Sequence, residues 1–117
     1  MEQAYIYMIR CEDRSIYTGI AADLKKRLSQ HYHQEKECAK YTKSHKMQKL
    51  ELVFTADDLR IAAKLEYRLK QLTRAEKELL ITDPLQLHVL TKNILKDYAF
   101  HPFSREEIEE VNQAVCI

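Results

Sequence analysis

The sequence predicts a small α/β (α+β) domain in which strands pack against helices. Two β-rich runs, residues 4–11 and 15–20, are separated by a short polar break, and residues 50–55 alternate as a third strand. Helix-start signals then recur at Asp23, Asp57 and Asp58, Thr73, Asp83 and Ser104. The 117 residues suit one domain. Folding at this size buries roughly two-thirds of the unfolded chain's surface, so neither a metal nor a disulfide is needed to close the core.

The runs AYIYMIRC and SIYTGI, joined through Glu12, Asp13 and Arg14, read as a β-hairpin. If the odd-numbered residues of both strands share a face, Tyr7 and Tyr17 are close neighbours, directly opposite in one register. A one-residue slip would break that relation. Gly19 is the single glycine of the chain and closes the second run, a place where another group could approach the backbone.

Residues 23–33 read as a helix with Asp23 in its first turn; Leu24, Leu28 and His31 share one face and Arg27 flanks it. Residues 34–49 are polar and basic, a loop or short helix in which Lys40, Lys43, Lys46 and Lys49 are interleaved with Tyr41 and His45. Lysines mixed with aromatic rings suit a nucleic-acid backbone and exposed bases; they equally suit a solvated loop.

The 57–71 helix holds the most informative residue. With about 100° per residue, Leu59, Ala62, Leu65, Leu69 and Leu72 form one face, and Glu66 falls inside it. Arg60, Lys64, Tyr67, Arg68 and Gln71 make the opposite, polar face. A carboxylate on an apolar stripe needs a partner cation, hydrogen bonds or a metal. A structural ion pair or a partly exposed rim position answers that need as well as a functional site does. Thr73 with Glu76, and Ser104 with Glu107, are capping boxes, and Asp83 precedes Pro84 as an N-cap before a proline at the first helical position.

Charge divides the chain. Residues 1–81 hold 16 lysines and arginines against 12 aspartates and glutamates, and residues 82–117 hold 3 against 6. A basic body attracts polyanions. The acidic helical extension, residues 82–117, has three readings: packing on the body, forming a homodimer, or covering the basic surface. Cys11, Cys38 and Cys116 contain no CxxC pair, so a disulfide framework or zinc site is not expected. Cys38 with His31 and His33 reads as solvated surface. No apolar run approaches a membrane span and the first residues lack the shape of a signal peptide, so the expected setting is the cytoplasm, away from membranes.

Tyr5-Ile6-Tyr7, Tyr17-Thr18-Gly19, the following DLKKRLSQH, Lys40-Tyr41-Thr42 and Glu66 together resemble the GIY-YIG nuclease superfamily over about residues 3–81. The likeness is above all to its small bacterial single-domain members, and more distantly to the N-terminal nuclease domain of UvrC. The resemblance implies a three-stranded antiparallel sheet flanked by helices. It also implies metal-dependent hydrolysis of phosphodiester bonds, with nucleic acid, DNA first, as the partner. Residue by residue, it implies that Tyr7 and Tyr17 are the motif tyrosines, Gly19 the second-motif glycine, Arg27 the family arginine and His31 a histidine found in several members. Glu66 is implied as the metal-binding glutamate, with Mg²⁺ or Mn²⁺ as cofactor. Two positions depart from the pattern: Tyr5 stands where the first motif has glycine, and Asp13-Arg14 where the turn would carry Asp-Gly.

Read for chemistry, Glu66 suits a single ligand of Mg²⁺, which keeps several waters and takes phosphate oxygens. Arg27 offers a planar fork to phosphate. Tyr17 suits proton acceptance or relay, Tyr7 its orientation, and His31 a share in the relay. Lys40, Tyr41, Lys43 and Lys46 suit substrate binding. Taken singly, Tyr7 and Tyr17 are also ordinary strand tyrosines, His31 a satisfied core histidine, and Arg27 a structural partner of Glu66. Two functions follow: a DNA endonuclease, or a nucleic-acid-binding or interaction module that keeps the fold with little cleavage.

Overall fold

The structure, a computed structural model, describes residues 3–116. Strands β1 (Ala4–Cys11) and β2 (Ile16–Ala21) form the hairpin, followed by α1 (Leu24–Tyr32), α2 (Lys40–Ser44) and β3 (Met47–Ala56). Then come α3 (Leu59–Lys70), α4 (Arg74–Thr82), a 3₁₀ turn at Pro84–Gln86, α5 (Leu87–Leu90), β4 (His101–Pro102) and α6 (Arg105–Val115). The sheet is antiparallel, in the order β2-β1-β3-β4. It has four strands where three were expected, because the extension returns two residues, His101 and Pro102, to pair with Thr55 and Phe54.

Alternation assigns the two faces. Ala4, Ile6, Met8, Leu52 and Phe54 meet α3 and α4 in one buried cluster; Tyr7, Ile9, Ala21 and Val53 meet α1 and α6 in the other. A register shift in β3 between the partners of Met8 and Ile9 leaves Glu51 unpaired in the ladder, a bulge that places Leu50 on the α1 side. Arg10 donates to Glu51 (2.7 Å) and Glu78 (2.6 Å), tying β1, β3 and α4 together.

The local signals form as read. Asp23 caps α1 rather than entering its first turn, Asp58 caps α3, and both capping boxes close reciprocally. Asp83 caps the 3₁₀ turn that begins at Pro84. In the hairpin turn Arg14 itself takes the left-handed conformation, φ 71°, that the expected glycine would have supplied.

The extension runs along the α3 side and crosses the β3 edge, and α6 then packs Ile108, Val111 and Val115 on the α1 side. Along that edge the Asn112 amide mimics a strand, accepting from Leu50 N–H (2.8 Å) and donating to Leu50 C=O (3.0 Å). Unpaired edge groups are thereby satisfied.

Candidate active site

The hairpin register pairs Tyr7 with Gly19 and Ile9 with Tyr17. Tyr7 and Tyr17 are therefore diagonal neighbours on one face, not directly opposite, and their ring centroids lie 6.4 Å apart. Gly19 is required by space, not by its φ. A Cβ there would stand 2.5 Å from the Tyr7 hydroxyl oxygen and 2.6 Å from its ring carbon Cζ. The absence of a side chain lets the Tyr7 phenol lie across β2 and reach α1.

There Tyr7 meets His31 Nε2 at 2.6 Å, both side chains fully buried. His31 Nδ1 lies 2.8 Å from Thr42 Oγ1, and that hydroxyl donates to the Ala39 carbonyl at 3.0 Å. A hydroxyl has one proton to give, so Thr42 accepts from His31 Nδ1–H. Nε2 of the neutral ring is then the acceptor and Tyr7 O–H the donor. Burial, and secondly the charge of Arg27, hold the imidazole neutral by lowering its pKa to about 4. Burial, then the neighbouring Tyr17, push Tyr7 well above the ordinary phenol value, and Arg27 offsets part of this.

Tyr17 forms the outer layer and is half-buried. Its ring packs edge-on to His31 at 5.6 Å and stacks on Tyr41 at 5.4 Å, and Tyr41 stacks on His45 at 4.0 Å. His45 is held by Asp13 at 2.6 Å. Burial, followed by the Glu66 carboxylate, raises the Tyr17 pKa.

Glu66 sits on the rim of the α3 apolar face, its side chain 23% exposed, while Ala62, Leu65 and Leu69 beside it are fully buried. Its ion-pair partner is Lys70 at 3.6 Å, whose ammonium also stands 5.7 Å from the Tyr17 ring centroid. Arg27 does not pair with Glu66. One guanidinium nitrogen, Nη1, donates to Gln30 Oε1 (3.0 Å) and to the Glu37 carbonyl (2.5 Å), and the guanidinium also lies within hydrogen-bonding reach of the Tyr7 hydroxyl.

Tyr7, Tyr17, His31 and Tyr41 thus converge directly; Glu66 acts on the tyrosines through its charge, and Arg27 through its charge and its hydrogen-bonding reach to Tyr7. Lys40 and Lys43 are exposed on α2 beside Tyr41, and Lys46 is exposed just before β3. Cys38 and His31 are buried rather than solvated. Sequence reasoning missed Thr42, the partner that fixes the His31 tautomer. It also missed Lys70, although its i,i+4 spacing from Glu66 was readable. No group of three or more His, Cys, Asp or Glu gathers among the described residues. One rim carboxylate fits Mg²⁺, which draws most of its oxygens from water and phosphate.

Residues 3–79 match the GIY-YIG catalytic domain family. The chain belongs to the GIY-YIG family. GIY-YIG domains are nuclease-type domains and generally depend on a divalent metal. The match ends inside α4, so most of the extension lies beyond it. A UPF0213 protein of Fusobacterium nucleatum is 49% identical over 80 residues, covering 68% of this chain and 78% of that protein. Another, from Syntrophus aciditrophicus, is 40% identical over 81 residues, covering 69% and 92% respectively. The solution NMR structure of a UPF0213 protein from Bacillus halodurans shares 28% identity at a TM-score of 0.43, covering 73% of this chain and 92% of that one. Among the described residues of this GIY-YIG domain, no helix is long and apolar enough to cross a membrane.

Proposed function

We propose that this GIY-YIG domain is a metal-dependent endonuclease that hydrolyses phosphodiester bonds in DNA, with Glu66 as the protein ligand of Mg²⁺ or Mn²⁺. The observation that carries the reading is the placing of Tyr17. Its ring packs on His31 of a closed Tyr7–His31–Thr42 hydrogen-bond chain, and the Glu66 carboxylate is near enough to raise its pKa.

Hydrolysis joins a water oxygen to phosphorus and breaks one P–O ester bond. The water loses a proton and the leaving oxygen needs one. Tyr17 is the hydroxyl that solvent can reach, so it takes or relays the water's proton. Neutralising Glu66 removes the second cause of its raised pKa. Tyr7 has its own proton committed to His31, which leaves its oxygen an acceptor only, suited to orienting Tyr17 or the water. Arg27 has more N–H donors than the two contacts of Nη1 use, and its guanidinium offers them to phosphate oxygens beside Tyr7. A bound cation supplies polarisation of the phosphate oxygens and neutralises charge that develops in the transition state. Lys40, Tyr41, Lys43 and Lys46 carry the substrate's backbone past the site.

The Glu66–Lys70 ion pair favours the second reading, a binding module with little cleavage, because an ammonium already neutralises the carboxylate. Incubation of labelled duplex, branched and single-stranded DNA and RNA with Mg²⁺, Mn²⁺ or chelator separates the two. The endonuclease reading expects chelator-sensitive cleavage that Glu66→Gln lowers by at least about 10²–10³-fold, the scale of one lost charge-stabilising group. Undiminished cutting by Glu66→Gln removes the metal assignment, and no cutting of any substrate leaves the binding module.

A further inference from the structure

On the opposite side of α3 from Glu66, the polar stripe faces the extension across a groove of about 500 Å³. Arg60, Lys64 and Arg68 line one wall with Tyr67; Ile94 and Tyr98 line the other. No carboxylate lines it among the described residues, and none of the three cations has an ion-pair partner there. Such a lining is not the rule in this molecule. The groove holding Arg10, Arg14, Lys49 and Arg74 contains Glu51 and Glu78, and Arg10, Lys49 and Arg74 are paired with those carboxylates.

We propose that the groove between α3 and the extension binds a single strand of nucleic acid. Arg60, Lys64 and Arg68 recur every four residues, so they stand roughly 6 Å apart along the helix, comparable to the reach between successive phosphates of an extended strand. Tyr67 is 62% exposed, a large ring left in solvent beside three cations. Arg68 covers it at 5.5 Å from the centroid, which leaves the other face for a base. Tyr98 is half-buried and braced by Phe100 at 6.4 Å, so it offers a fixed ring on the facing wall. Unpaired cations that track a backbone, with aromatic faces for bases, are the composition of a single-strand site. Tyr67 follows Glu66 in α3, so a strand in this groove leads around the helix to the candidate active site. The substrate this placement fits has an unpaired strand beside the bond to be cut. That last step rests on the endonuclease reading; the binding itself does not.

The test is fluorescence anisotropy of labelled single-stranded and duplex oligonucleotides across a salt series, with no divalent metal present. The triple variant Arg60→Gln, Lys64→Gln, Arg68→Gln should weaken single-strand binding and flatten the log–log salt slope by about two, the loss of three phosphate contacts. Tyr67→Ala, at an exposed position, should weaken it roughly tenfold, the loss of one stacked base. Thermal melts confirm that both variants are folded. A triple variant with wild-type affinity and slope overturns the proposal. So does a poly-glutamate peptide that displaces the labelled strand as well as unlabelled oligonucleotide does, which would mark an acidic protein as the occupant. Loss of binding in the triple variant, in a wild type that cuts nothing, sustains the groove and ends the endonuclease reading. Cleavage by wild type with unchanged binding in the triple variant does the reverse.

Discussion

The two faces of the sheet are built from alternate residues of the same strands, yet they are different materials. On the α3 side Ile6, Met8, Leu52, Phe54, Leu65, Leu69 and Leu80 interlock as hydrocarbon. Thr18 is a polar exception within the sheet there, its buried Oγ1 without a partner among the described residues. On the α1 side the same alternation delivers Tyr7 and Tyr17, and α1 adds His31. That face keeps a fully buried phenol and imidazole where hydrocarbon would also pack, with the phenol O–H and both ring nitrogens of the imidazole hydrogen-bonded. Alternate residues of one strand thus supply a hydrocarbon core on one face and, on the other, a core that also contains a hydrogen-bonded polar cluster. Truncating hydrocarbon in the α3-side cluster should cost stability and leave the site assembled, whereas removing the Tyr17 hydroxyl on the α1 side should leave both hydrophobic clusters, and so the fold, intact.

The largest stability effect is expected from Leu80→Ala, which empties a fully buried position on the α3 side. It should cost about 2–5 kcal/mol. Denaturant unfolding measures this, and cleavage well below the transition should stay near wild type. Gly19→Ala is the mixed case. The new methyl would meet the Tyr7 phenol at 2.5 Å, so it should cost about 1–3 kcal/mol by overpacking and also move Tyr7 off His31. A variant with wild-type melting and wild-type cleavage would break the comparison at its hinge.

The smallest effect is a dependence on pH. The folded His31 pKa is lowered to about 4, below the ordinary histidine value near 6.5. The unfolded chain therefore binds a proton in that interval that the folded chain refuses. Stability from His31 is complete above pH 6.5 and is lost progressively as pH falls toward 4. Melting temperature measured from pH 7 to pH 5 should fall, and His31→Gln should flatten that part of the curve.

Much of this was legible in the chain because its causes are local. Asp23, Asp58, Thr73 with Glu76 and Ser104 with Glu107 each cap a helix within four residues of themselves. Periodicity alone puts Glu66 inside the apolar stripe; the structure sets it at the rim of that stripe, 23% exposed. What was not legible depends on distant partners or on register. The Tyr7–Tyr17 offset follows from a turn in which Arg14 adopts a conformation that its side chain disfavours. The fourth strand and the Asn112–Leu50 pairing join segments far apart in sequence, which no local pattern encodes. Thr42 was quoted in a motif, but its task appears only when α2 folds against His31.

The division between the faces is tested most directly by Tyr17→Phe, which removes one hydroxyl and keeps the ring that stacks on Tyr41. Single-turnover cleavage of DNA at saturating protein, with binding and melting followed in parallel, isolates the chemical step. The rate should fall by about 10²–10⁴-fold, the scale of lost acid–base help, with affinity and melting temperature unchanged. A wild-type rate, or a fall in rate matched by a fall in affinity or melting temperature, would contradict the account.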